Sequence, residues 1–193
     1  ESKRQPRPGG YVKRPLPVWV CRLDATYLCG FFYEMNFLEQ DLEEIIFTTD
    51  CDELCDRGLY DTGQLFRQVK IGNYGIADLI SFHRPYYNSS GERENGTIRI
   101  YELKRDLIDI NAFLQAVRYA RGIQRRIEKK NHYSYNIEIV LIGKKMDKKS
   151  SFCFLPELIT QDSFYLTYYT YSYEADGIKF KNETNYRLSN EGF

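Results

Sequence analysis

The chain has 193 residues but no net charge, two histidines, one tryptophan and two methionines. It also has no apolar run long enough to span a bilayer. Its 27 basic and 27 acidic residues cancel, so no global field draws it to nucleic acid, and any such contact must come from a local patch. The five cysteines are odd in number and follow no regular framework, which predicts reduced thiols. Cys51 and Cys55 form a weak metal signal, because zinc needs further ligands at suitable spacing and the only histidines are His83 and His132. No signal peptide is visible, so the expected compartment is the cytoplasm and no membrane partner is expected. The glycosylation-type triplets at Asn88, Asn95 and Asn182 are then read as chance.

With 42% hydrophobic residues the chain can bury a real core, and the length predicts one domain over residues 21–193. Residues 1–20 differ in composition. Pro6, Pro8, Pro15 and Pro17 alternate with Lys3, Arg4, Arg7, Lys13 and Arg14, the pattern of an extended basic arm. It is either a contact to phosphates or a protein partner, or simply a terminus.

Residues 18–32 are apolar and aromatic and predict a further strand, and residues 34–48 a helix with Phe37, Leu38, Leu42, Ile45 and Ile46 as its core stripe. Residues 65–71 and 74–82 predict two strands joined across Gly72-Asn73. Residues 98–104 predict another, after a loop over 83–97 rich in Pro, Asn, Ser and Gly. A long helix follows over 110–129, capped by Asp109 or Asn111, with Ile110, Phe113, Leu114, Val117 and Ile123 at helical spacing. A strand at 135–143, a short helical turn at 156–159 and a hairpin about Glu174 to Gly177 complete the order. The hairpin's first strand places Tyr165, Tyr169, Tyr171 and Tyr173 on one face, either for stacking on bases or as ordinary strand residues.

Within this order, Asp78 and Glu102 interrupt strands that are otherwise apolar, and buried charge is costly unless paired or metal-bound. Two carboxylates on neighbouring strands suit a hard cation such as Mg²⁺ or Mn²⁺, and Lys104 shares a strand face with Glu102. The alternative is that Asp78, Glu102 and Lys104 are ordinary polar positions on a half-exposed strand pair. Gln115 and Tyr119, four apart, stack on one helix face.

The succession Ile76-Ala77-Asp78, Glu102-Leu103-Lys104, Gln115-x-x-x-Tyr119 resembles the PD-(D/E)XK nuclease superfamily, and its Gln-x-x-x-Tyr helix is similar to the RecB-type branch. The upstream stretches from Glu39 and from Leu65 to Gly75 resemble the NucS-like endonuclease domains, which carry a helical glutamate and an Arg-Gln strand. Ala77 stands where the name-giving proline would be, and only Cys153 follows the Gln-x-x-x-Tyr helix, which argues against an iron–sulfur cluster. The resemblance implies an α/β fold, a mixed central β-sheet flanked by helices (the restriction-endonuclease-like αβββαβ core), here with an extra C-terminal β-hairpin. It further implies a Mg²⁺- or Mn²⁺-dependent DNA nuclease of repair, recombination or phage DNA processing, in a bacterial or phage-infected cell.

In that reading Asp78, Glu102 and the Leu103 carbonyl hold the metal, with Glu39 joining through water. Lys104 positions the attacking water, and Gln115 and Tyr119 orient site and substrate. Arg67, Gln68, Arg118, Arg121 and Arg125 are the implied contacts to nucleic acid, although bases late in a helix also complement its dipole. Two rivals remain at this level: a nuclease fold kept for a structural or binding role in a larger phage or replication assembly, and an enzyme directed at RNA.

Overall fold

The computed structural model describes residues 38–130, 135–147 and 164–184. The basic arm, the strand over 18–32, the start of the first helix, His132, Cys153 and the turn at 156–159 lie outside these residues. The described elements begin with α1 (Glu39–Thr48), α2 (Cys51–Asp56), β1 (Gln64–Lys70), β2 (Ile76–His83) and the short strands β3 (Tyr86–Tyr87) and β4 (Arg93–Glu94). They continue with β5 (Gly96–Leu103), β6 (Leu107–Ile108), α3 (Ile110–Lys129), β7 (Tyr135–Gly143), β8 (Lys145–Met146), β9 (Phe164–Glu174) and β10 (Gly177–Asn182). No helix among the described residues is long and apolar enough to cross a membrane.

Six strands form one mixed sheet in the order β1-β2-β5-β7-β9-β10. The pairs β1–β2, β2–β5 and β9–β10 are antiparallel, whereas β5–β7 and β7–β9 are parallel. The fold is therefore α/β with a mixed central sheet between helices, as the sequence leads one to expect. The C-terminal hairpin is not an appendage, because β9 pairs along β7 and extends the central sheet. This also decides its tyrosines. Tyr169 and Tyr171 are buried in the core, and only Tyr165 and Tyr173 stay exposed on that face.

Alternation along the strands divides the core in two. Ile98 and Ile100 of β5 pack with Phe113, Ala116, Tyr119 and Ala120 of α3. Tyr101 and Leu103 of the same strand pack on the opposite face with Leu42 and Ile46 of α1 and Leu54 of α2. A helix layer thus covers each face of the sheet, and burial of these side chains contributes roughly 1.5–3 kcal/mol apiece.

Local signals explain the element ends. Asp109 caps α3, accepting from the Ala112 amide at 2.9 Å, while Asn111 donates to Asp109 instead. Asp50 caps α2 through the Glu53 amide at 3.1 Å. Between β1 and β2 the chain makes a single 3₁₀ turn over Gly72–Tyr74, closed by the Ile71 amide on the Gly75 carbonyl at 2.8 Å. Ile71 and Tyr74, expected inside the strands, therefore lie in the turn. Gly75 has φ of +119°, and a Cβ there would stand 2.8 Å from Cε1 of Tyr119. Only glycine lets the turn approach α3 that closely.

Candidate active site

The ladder between β2 and β5 pairs Leu79 with Tyr101. Asp78 and Glu102 occupy the next rung, where the two strands part. The strand separation is bridged by the Asp78 side chain, whose Oδ2 accepts from the Leu103 amide at 3.0 Å. On the other side β1 pairs Arg67 with Leu79 and Val69 with Ala77, so Gln68 stands opposite Asp78. Gln68, Asp78 and Glu102 consequently form one row across three strands. Gln68 is also the only described non-glycine residue with positive φ, at +48°, a conformation that costs about 1 kcal/mol or more for such a residue.

Glu102 is 1% exposed. Its Oε1 accepts from Lys104 Nζ at 2.7 Å, whereas Oε2 is buried with no hydrogen-bond partner. Burial pushes its carboxyl up to about 7, with Asp78 and Glu39 adding repulsion and the Lys104 ammonium opposing. Asp78 is also raised, again chiefly by burial, against the pull of the Leu103 amide and Lys104. For Lys104 burial favours the neutral amine, but its bond to Glu102 and the surrounding carboxylates outweigh this and raise its pKa. The site is an acid pair short of positive charge. An unsatisfied buried carboxylate oxygen is expensive, and a hard divalent cation is the group whose chemistry removes that cost. No three acidic, histidine or cysteine side chains among the described residues converge into a ready-made metal cluster. The side chains here whose oxygens suit such a cation are Asp78 and Glu102.

Helix α1 adds two glutamates one turn apart. Glu39, the residue singled out from sequence, is exposed and its Oε1 accepts from the Arg105 amide at 3.3 Å. It lines a hollow of about 440 Å³ together with Leu38, Lys104, Arg105 and Leu107. Glu43 is the buried one, at 5% exposure, and was not singled out from sequence. It accepts from Arg67 Nε at 2.7 Å and from the Gln68 side-chain amide at 2.5 Å. Arg67 reaches Glu44 as well and lies over the Phe47 ring. Arg67 and Gln68, expected on nucleic acid, sit on β1 and turn their side chains to α1, where they hold Glu43 beside the Asp78 row.

On α3, Gln115 Nε2 donates to the Tyr119 hydroxyl at 2.8 Å, and Tyr119 is buried against the turn at Gly75. The pair therefore braces Gly75, which precedes β2 and lies three residues before Asp78. Arg118 stacks over the Tyr119 ring, Arg121 over Phe164, and Arg125 over Tyr74 while donating to its hydroxyl. These three arginines follow the side of α3 that faces the turn and β9.

A second polar cluster occupies the other end of β2 and β5. The Asp61 carboxylate, 3% exposed, accepts from the Gly63 amide, Ser81 Oγ and the Tyr101 hydroxyl, and lies 2.8 Å from His83 Nε2. Arg99 joins Asp61 at 3.6 Å and Glu138 at 2.6 Å, and Glu138 accepts from Thr167. Asp61, Ser81 and His83 do not make a nucleophilic triad. Serine and aspartate meet the same ring nitrogen, and Ser81 is fully buried, whereas a triad needs the two partners on different nitrogens and an accessible hydroxyl. The signal for this cluster was present in sequence as Ser81-x-His83 and Arg99-x-Tyr101, polar pairs at strand period.

A scan against protein-family models finds no match, and comparison with curated proteins finds none either. Among solved structures, the chain is similar to the crystal structure of a repair endonuclease from Pyrococcus abyssi, with 19% identity and a TM-score of 0.40. The similarity covers 66% of this chain and 45% of that one.

Proposed function

We propose that the protein is a divalent-metal-dependent nuclease that hydrolyses phosphodiester bonds in DNA, acting as an endonuclease. The observation that carries this reading is Glu102. It is a buried carboxylate on the same rung as Asp78, with one oxygen on Lys104 and the other without a partner. Lewis-acid stabilisation of the phosphate would come from Mg²⁺ or Mn²⁺ held by Asp78, Glu102 and the Leu103 carbonyl, with Glu39 through water. Lys104 keeps its proton through Glu102 and has two further N–H donors, one to orient the attacking water and one to offset charge on the phosphate. Glu43, fixed by Arg67 and Gln68, holds α1 against the Asp78 row. Tyr119 and Gln115 hold the turn from which β2 starts.

The test is a cleavage panel on single-stranded, double-stranded, flapped and branched DNA, with RNA alongside, in Mg²⁺ and Mn²⁺. Asp78→Ala and Glu102→Ala should each lower the rate on the order of a thousandfold and weaken Mn²⁺ binding measured by titration calorimetry. Undiminished cleavage and Mn²⁺ affinity in both variants would mean that the site lies elsewhere; cleavage of RNA alone would move the substrate class.

A further inference from the structure

Beyond the buried cluster around Asp61 the surface opens into two adjoining hollows, of about 560 and 400 Å³, that share Phe82 and Arg84. Volumes of this size hold small molecules or single monomer units of a polymer. The first is lined by Tyr60 and Tyr86, and the second by Tyr87, Tyr135 and Arg93. Tyr60, Tyr86 and Tyr87 are 64%, 61% and 73% exposed, an unusual display of aromatic surface on one small region. The polar floor is already neutralised, since His83 and Arg99 are engaged with Asp61 and Glu138. Arg84 and Arg93 carry no ion pair among the described residues, so they give the rim its net charge. The acids of the β3–β4 hairpin, Glu92 and Glu94, are held by Asn88 and line neither hollow.

Exposed tyrosine faces beside unpaired arginines are the two components of a nucleotide site, stacking for the base and charge for the phosphate. We infer that these hollows take successive unpaired nucleotides of the substrate strand, remote from the bond that is cut. The inference rests on the nuclease reading, because the strand held here is the one that continues to Asp78 and Glu102. Its reach follows from the fold. Asp78 and His83 are five residues apart on β2, about 17 Å along the strand, and an odd spacing turns their side chains to opposite faces. A nucleic-acid strand rising 3.4 Å per base therefore needs at least about five nucleotides to connect them. Substrates with fewer nucleotides than this on one side of the cut lose the contact.

The experiment measures fluorescence anisotropy of a labelled 12-nucleotide DNA single strand in EDTA, so that binding is read without cleavage. The Tyr60→Ala/Tyr86→Ala variant should bind about tenfold or more weakly, and Arg84→Ala should lower the log–log salt slope by about one. Circular dichroism confirms folding, which these exposed positions should leave intact. Deoxyadenosine monophosphate serves as a competitor to separate a free nucleotide from a strand. If its binding depends on the tyrosines while the oligonucleotide's does not, the strand is the wrong occupant. Unchanged affinity and slope in every variant would overturn the inference altogether. Asp78→Ala keeps the two readings apart: it should bind the oligonucleotide like the parent yet fail to cut. If it still cuts, the nuclease site is misassigned and the anisotropy result stands on its own.

Discussion

Two polar clusters occupy the same pair of strands and are built on opposite terms. Around Asp61 both carboxylate oxygens are satisfied, by a backbone amide, two hydroxyls and His83, and a chain of pairs continues through Arg99 and Glu138 to Thr167. Around Glu102 one oxygen has no partner and the carboxyl is pushed up to about 7. A closed network rigidifies a core and needs nothing further. An open one is held in a costly state by the surrounding fold, and it is there that a ligand can be bound and chemistry done. The comparison predicts that damage to the first cluster is felt as lost stability and damage to the second as lost activity.

The largest effect should come from Lys104. Lys104→Ala should slow single-turnover cleavage about 10²- to 10⁴-fold at saturating metal, with Mn²⁺ still bound. The metal-free variant should melt lower, because Glu102 loses its one hydrogen-bond partner. A wild-type rate would place Lys104 outside the chemistry and weaken the contrast. At the closed cluster, Asp61→Ala leaves the buried Tyr101 hydroxyl without its partner and removes an acceptor from Ser81 and His83, while Arg99 keeps Glu138. It should destabilise the fold by about 3 kcal/mol. For a chain of this size that lowers the melting temperature by roughly 10 °C; an unaltered melt would mean the network is not what holds this end of the sheet.

A smaller effect tests the open cluster through pH. Glu102 binds its proton up to about 7 in the folded chain against 4.5 for an ordinary glutamate. The unfolded state therefore loses that proton first, and stability of the metal-free protein falls as pH rises from 4.5 to 7, with the full cost present above 7. Glu102→Gln should remove that decline and be about 1–3 kcal/mol more stable than the parent at pH 8, read by urea denaturation. Equal pH profiles would show that Glu102 is not the strained group. The smallest effect lies on α3, where Arg118→Ala with Arg121→Ala should flatten the salt dependence of DNA binding by about one to two log–log units. An unchanged slope would leave these arginines without a role toward DNA, Arg118 on the Tyr119 ring and Arg121 on Phe164 and Gln124.

Much of this was legible in the sequence because it is local. The bounds of α3 follow from its apolar period and a capping residue at Asp109 or Asn111. Strand alternation puts Glu102 and Lys104 on one face, whereas the shared rung of Asp78 and Glu102 needs the register of β2 on β5. What was not legible depends on contacts between distant segments. Glu39 and Glu43 share a helix face, and only the position of Arg67 and Gln68 on β1 decides that Glu43 is the buried member. The hairpin at 164–182 was recognisable, but its place in the central sheet depends on pairing with β7. Ser81-x-His83 and Arg99-x-Tyr101 stand out as polar pairs at strand period, but Asp61 sits in a loop and carries no period, so nothing local places its carboxylate between them.

The register of β2 against β5 also fixes where this chain can gain or lose residues. Strand side chains alternate with period two, so inserting one residue between Leu79 and Phe82 shifts Asp78 out of step with the rungs beyond. Ala77 or Leu79 would then stand where the carboxylate belongs. The tip of the connection, residues 88–92, lies beyond every rung of the central sheet and has exposed Ser89, Ser90 and Gly91. Homologous chains should therefore vary in length at that tip while keeping an unbroken count of residues from Asp78 to His83 and from Thr97 to Glu102.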